Sequence, residues 1–251
     1  MATTSSSFTS GEVIENTAWT DRLYLLKIRT DKMAFKAGQF IRLQLTIDGK
    51  NVAKPYSLVN SPDEKDIEVI YSKVDNGLLS NALAALKAGD TIDVSRLAYG
   101  FFVLDEVPQS KQLLMVATGT GLGPFISILK TDEVWQRYEN IVLVHGVPLV
   151  EELVYADLIE TWQQKYPEQF QFVSCVSREQ NPTGLHGRVT DLLSKGILEE
   201  HVDLEINKDN SHIMLCGNHN MINDMKTLLA ERDMSRHLRH KPGHITTEQY
   251  F

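Results

Sequence analysis

Thr118-Gly119-Thr120-Gly121-Leu122-Gly123-Pro124 sets three glycines between an apolar run and a segment of helical character. Glycines at such a turn let backbone N–H groups approach a pyrophosphate, and the helix start adds a favourable partial positive charge. Lys54-Pro55-Tyr56-Ser57, continued by Leu58-Val59-Asn60-Ser61-Pro62, offers a cation and a hydroxyl for a phosphate and a tyrosine face for a flat ring. Gly77-Leu78-Leu79-Ser80 is a second glycine turn leading into a helix, again suited to phosphate. Cys216-Gly217-Asn218-His219 closes the last apolar run, and Arg178 and Arg188 stand near the ends of others. A guanidinium fork matches a phosphate. Taken singly, each of these also reads as an ordinary turn, a buried small hydrophobe or a solvated surface residue.

The elements that must position them fall into two halves. Ile41, Leu43, Leu45 and Ile47 alternate with Arg42, Gln44 and Thr46, the period of a half-buried strand. Asp48-Gly49 is a hairpin signal, and residues 51–59 resume the extended pattern. A strand over 67–74 stops at Asp75-Asn76-Gly77, and a short helix over 78–86 is closed by Gly89. Short strands with one small helix predict an antiparallel β-barrel. After Pro108 the runs become continuously apolar, at Leu113-Leu114-Met115-Val116, Ile141-Val142-Leu143-Val144, 170–176 and Ile213-Met214-Leu215-Cys216. Strands buried on both faces read this way, and helices over 151–165 and 221–231 between and after them predict a parallel α/β sheet. The division is expected near 105–110, giving domains 1–107 and 108–251.

Composition narrows the function. A formal net charge of -8 argues against nucleic acid. The two cysteines, Cys175 and Cys216, have no spacing that could hold zinc or an iron–sulfur cluster, so no metal is expected. The first ten residues lack the basic and apolar character of a signal or transit peptide, and no run is long enough to span a membrane. A cytoplasmic protein is expected.

In this order and spacing the motifs resemble the ferredoxin–NADP reductase family, most closely its bacterial flavodoxin/ferredoxin branch. YSLVNSPD, GFFVLDEVP, ATGTGLGP, SRE, LCGN and PGHITTEQYF carry the resemblance, which runs from about Gly11 to Phe251. It implies an FAD-binding β-barrel followed by an NADP-binding α/β domain. It implies further that Tyr56 and Ser57 hold the isoalloxazine, with Lys54 and Ser80 near the FAD phosphates. Pro55, Ser72 and Leu79 belong to the same set. Thr120, between the cofactor-binding Gly119 and Gly121, would lie at the junction of flavin and nicotinamide, Cys216 would face the nicotinamide, and Arg178 and Arg188 would grip the 2′-phosphate. Tyr250 and Phe251 would return to the flavin. Three departures stand out: Lys54 replaces an arginine, His219 stands where the family has a proline, and Pro148 replaces a phosphate-gripping arginine of close bacterial relatives.

The resemblance implies hydride transfer between NADP(H) and FAD, and one-electron transfer to ferredoxin or flavodoxin. Such carriers are acidic, and Arg232, Arg236, His237, Arg239, His240 and Lys241 concentrate positive charge in one segment that serves either as a docking patch or as a solvated helix end. The rival readings are an NAD(P)H-dependent reductase of free flavin or of an oxygenase component, and a non-catalytic FAD subunit.

Overall fold

The computed structural model describes Ser7 to Gln249. The chain divides into two compact units, Met1–Val103 with Ile126–Thr131, and Leu104–Phe125 with Asp132–Phe251.

The first unit contains β1 (Phe8–Ala18), β2 (Leu23–Arg29), β3 (Phe40–Ile47), β4 (Lys50–Ser57), β5 (Ile67–Ser72), α1 (Leu78–Ala84) and β6 (Thr91–Ser95). The strands pair antiparallel in the order β4-β3-β6-β1-β2-β5. The alternation in β3 does what its period requires: Ile41 and Leu43 are fully buried while Arg42 is exposed. Asp48 and Gly49 both take positive φ, at 50° and 72°, the two-residue turn whose twist suits a hairpin, and Ile47 pairs with Lys50 across it. The sheet's outer strands meet at one end. Just beyond β4, the Val59 N–H donates to the Glu68 carbonyl of β5 at 2.8 Å, and Asn60 Oδ1 accepts the Glu68 N–H at 3.0 Å. The sheet is a half-closed barrel around Val13, Leu26, Ile28, Ile41, Leu43, Val69, Ile92 and Val94.

The second sheet is parallel throughout. Its strands are β7 (Gln112–Thr118), β8 (Asn140–Val147), β9 (Phe170–Val176), β10 (Leu185–His186), β11 (Ser211–Gly217) and β12 (Ile245–Gln249). The helices are α2 (Gly123–Leu129), α3 (Asp132–Arg137), α4 (Ala156–Lys165), α5 (Val189–Ser194), α6 (Ile197–Val202) and α7 (His219–Ala230). Strand order is β10-β9-β8-β7-β11-β12, so the chain winds outward from β7 in one direction and then returns to its other side. The direction reverses between β7 and β11. In open parallel sheets that reversal leaves a crevice at the carboxyl ends of the two strands, where ligands bind.

Several boundaries differ from the sequence reading: the helices expected over 78–86 and 221–231 run Leu78–Ala84 and His219–Ala230. The helix expected over 151–165 begins only at Ala156. Val150–Glu152 is a 3-10 turn, and Tyr155 sits in the left-handed region at φ 62°, a conformation no helix can pass through. The strand expected over 67–74 ends at Ser72, and the extended stretch 51–59 leaves the ladder after Ser57. Polar Thr246, Thr247 and Glu248 form β12, a strand the apolar pattern did not mark.

Candidate functional site

In the barrel unit, Lys54 faces Leu43 across the β3–β4 ladder and Tyr56 faces Ile41. Directly opposed residues share a face, so Lys54 and Tyr56 lie on the core side of an edge strand. Lys54 is exposed and makes no ion pair among the described residues. Tyr56 is half-buried, and burial pushes its hydroxyl up to about 12, so it remains protonated at any ordinary pH. Its ring meets Tyr71 edge-on at 6.3 Å. Tyr71 is stacked on Tyr24 at 5.3 Å, and its hydroxyl donates to Asn16 Oδ1 at 3.0 Å. Pro55, exposed between Lys54 and Tyr56, costs no ladder bond. Arg42 opposite it directs its own N–H away, to Ser95 Oγ at 3.0 Å.

Ser57 is buried at the end of β4, and Ser72 is exposed at the end of β5. Leu79 and Ser80 are buried in the first turn of α1, whose N-cap is Gly77 and carries no side-chain cap. The Ser80 hydroxyl accepts the Val74 N–H at 3.1 Å, so it shapes the turn. A Cβ at residue 77 would come within 2.5 Å of that hydroxyl. A side chain there would displace the Ser80 hydroxyl from the turn it shapes. An unpaired cation, a half-buried tyrosine and an uncapped helix start fit a molecule carrying both a flat ring and phosphates.

In the second unit, the crevice at the reversal point is lined by the two glycine motifs. Thr118 ends β7, and Gly119 follows at φ 53° with open space around its absent side chain. A Cβ on Gly121 would lie 2.5 Å from the Cys216 carbonyl oxygen and 2.9 Å from Gly217 Cα. Only glycine lets the turn press against the end of β11. Gly217, at φ 127°, approaches Thr118 in return, and the Asn218 N–H donates to Thr118 Oγ1 at 2.8 Å. Asn218 also caps α7, its side chain accepting the N–H groups of Asn220 at 2.8 Å and Met221 at 3.3 Å. Thr120 lies within the turn, and Cys216 is fully buried. His219 is the first residue of α7, a position where proline is favoured because no helical N–H bond is lost. That departure from the family pattern is therefore neutral for the backbone, and Asn223 Nδ2 donates to its Nε2 at 2.8 Å.

His145 carries no expected role and lies under the same turn. It is fully buried, and its Nε2–H donates to the Gly119 carbonyl at 3.0 Å. Burial pulls its pKa down to about 4, so it is neutral, and Nδ1 has no hydrogen-bond partner among the described residues. A histidine inside the apolar run VLVHG gives no sequence signal beyond core packing.

Arg178 follows β9 and Arg188 is the N-cap residue of α5. Both are exposed and neither makes an ion pair among the described residues. Pro148 is beside Arg178: its carbonyl accepts the Arg178 N–H at 3.0 Å. The expected tail residues Tyr250 and Phe251 lie outside the described residues. In the basic segment, Arg232 binds both carboxylate oxygens of Glu199 at 2.8 Å. Arg239 forms a two-point pair with Glu106, holding that carboxyl below the usual range. Two of the four expected docking cations thus already face carboxylates. Among the described residues no cluster of His, Cys, Asp or Glu could hold a metal ion, and no helix is long and apolar enough to cross a membrane.

Family models match both units: an oxidoreductase FAD-binding domain over 12–98 and an oxidoreductase NAD-binding domain over 115–227. The chain is 43% identical over 247 residues to the flavodoxin/ferredoxin–NADP reductase of Escherichia coli (strain K12), covering 98% of this chain and 100% of that one. It is 39% identical to the enzyme of the same name from Buchnera aphidicola subsp. Schizaphis graminum, covering 96% and 98% of the two chains. Among solved structures, a ferredoxin NADP+ reductase from Neisseria gonorrhoeae with bound FAD and NADP superposes with a TM-score of 0.93 at 30% identity, covering 98% of this chain and 100% of that one. With near-complete coverage at these identities, the chain belongs to the flavodoxin/ferredoxin–NADP reductase family.

Proposed function

We propose that this chain is an FAD-dependent reductase that moves electrons between NADP(H) and a ferredoxin or flavodoxin. The observation that carries this is the crevice at the β7–β11 reversal, where Gly119 has open space in place of a side chain and Gly121 and Gly217 let the turn and the end of β11 pack backbone against backbone. Bound FAD supplies the exchange of a two-electron change at the nicotinamide for one-electron steps at the carrier. The chain's own residues bind and orient. Tyr56 offers its ring face and Ser57 its polar groups to the isoalloxazine, with Pro55 beside them. Lys54 and the Gly77-to-Ser80 turn face the phosphates, and Ser72 and Leu79 border that site. Thr120, with Gly119 and Gly121, holds the nicotinamide nucleotide against the end of β11. Cys216 positions the reacting ring, a proximity effect and not nucleophilic catalysis. A cytoplasmic setting suits two buried cysteines outside any disulfide.

Purified protein is expected to be yellow with about one FAD per chain, and to reduce ferricyanide with NADPH. Stopped-flow oxidation of the reduced enzyme by ferredoxin, flavodoxin and free FMN separates the carriers from the flavin-reductase reading. A colourless, folded protein, or oxidation by FMN alone, would overturn the proposal. Docking through Arg236 and Lys241, with Arg232 and Arg239 already paired, is the finer form of it.

NADPH is expected to be preferred over NADH through Arg178 and Arg188. A charge-assisted hydrogen bond contributes roughly 1.5–3 kcal/mol when buried, and exposure discounts that. Arg178→Ala should therefore lower kcat/KM for NADPH about tenfold with NADH little changed. Pro148 leaves the wild-type preference smaller than an additional arginine would give. Equal efficiency with both cofactors in the wild-type enzyme would remove the 2′-phosphate role.

A further inference from the structure

Glu179 is tied to the segments that carry both arginines. Its carboxylate accepts the N–H of Val150, the first residue of the turn that follows β8. Its carbonyl accepts the His186 Nδ1–H at 2.7 Å, and His186 ends β10, two residues before Arg188. Arg178, its chain neighbour, donates its N–H to the Pro148 carbonyl at 3.0 Å. Three strand-end segments, after β8, β9 and β10, are therefore joined at residues 178 and 179.

We propose that Glu179 is a positioning residue for the 2′-phosphate of NADP(H), fixing the spacing between Arg178 and Arg188 without touching the nucleotide. This rests on the 2′-phosphate reading of those two arginines. Two exposed guanidiniums on separate segments share one phosphate only if their backbones are held in register, because long side chains otherwise lose too much freedom on binding. A carboxylate next to a phosphate site is by itself a liability, since like charges repel. Engaging the Val150 N–H directs that charge to the neighbouring segment. With Pro148 in place of an arginine, this chain has one cation fewer at the site, so the placement of the remaining two counts for more.

The two roles of Glu179, clamp and charge, are separable with two variants assayed on both cofactors. Glu179→Ala removes both, whereas Glu179→Gln removes the charge and keeps an oxygen that can accept from Val150. The ratio of kcat/KM for NADPH to that for NADH should fall about three- to tenfold in Glu179→Ala, through a raised KM for NADPH. In Glu179→Gln it should stay within about twofold of wild type or rise. An unchanged ratio in Glu179→Ala, or a ratio raised equally in both variants, would overturn the clamp. Arg178→Ala runs in parallel: if it leaves the ratio unchanged, the 2′-phosphate reading fails and takes the proposal with it.

Discussion

Gly121→Ala is expected to lower kcat/KM for NADPH by about a hundredfold, the scale of loss when a reactant is misplaced by roughly 1 Å. The new Cβ would stand 2.5 Å from the Cys216 oxygen, 2.7 Å from its carbonyl carbon and 2.9 Å from Gly217 Cα. All three are backbone atoms of a strand end, so no side chain can swing away to relieve the clash. The turn must lift or β11 must recede. Either movement separates Thr120 from Cys216 and strains the Asn218 N–H bond to Thr118 Oγ1, now 2.8 Å. The substitution is in the second unit, and the proposed FAD contacts from 54 to 80 are in the first. The variant should therefore remain yellow while its flavin is reduced slowly by NADPH. Stopped-flow flavin bleaching checks this. Wild-type rates would mean that the turn does not position the nucleotide. Gly119→Ala serves as a contrast, because its Cβ meets nothing within 4 Å and only the φ of 53° opposes it.

The glycine motifs were legible in the sequence because close backbone approach admits one residue type. The β3 alternation and the Asp48-Gly49 turn were legible because their periods and positive φ values are local properties. Features fixed by distant partners were not. Glu106 and Arg239 are 133 residues apart, and nothing near either one names the other. The same holds for β12, whose polar residues become a strand only by pairing with β11, Ile213 beside Ile245. The start of α4 was misread because Glu151 and Glu152 suit a helix, whereas Val154 is buried and Tyr155 turns left-handed. Tertiary packing overrode propensity there. His145 was missed for a related reason. Its importance is in one hydrogen bond to a turn 26 residues away, and its own neighbours read only as strand.

Stability should fall steeply as the pH drops below about 6.5, and the second unit should be where it is lost. His145 and His212 are both buried and both neutral in the folded chain. Burial holds His145 near 4. Burial first, and then the nearby His237, His244 and Arg137, hold His212 at about 3. His212 bonds Thr246 Oγ1 of β12 at 2.9 Å, and its ring meets His237 edge-on at 6.1 Å. Each folded pKa lies below the unfolded value near 6.5, so the unfolded chain binds more protons as the pH falls between them. The stabilisation is complete above about 6.5 and is lost progressively toward 4 and then 3. At His145 a second proton would sit on Nδ1, which has no partner among the described residues to reward the charge. The linkage slope is about 1.4 kcal/mol per pH unit for each histidine, and His145 alone accounts for about 3 kcal/mol by pH 4. Urea unfolding of the FAD-bound protein from pH 7.5 to 4.5 measures this, with the fluorescence of Trp135 and Trp162 reporting on the second unit. Substituting Asn for His145 should flatten the slope by about half, because a group that cannot titrate drops out of the linkage. A wild-type stability that stays level from pH 6.5 to 4.5 would show that one or both rings are solvated or paired in solution.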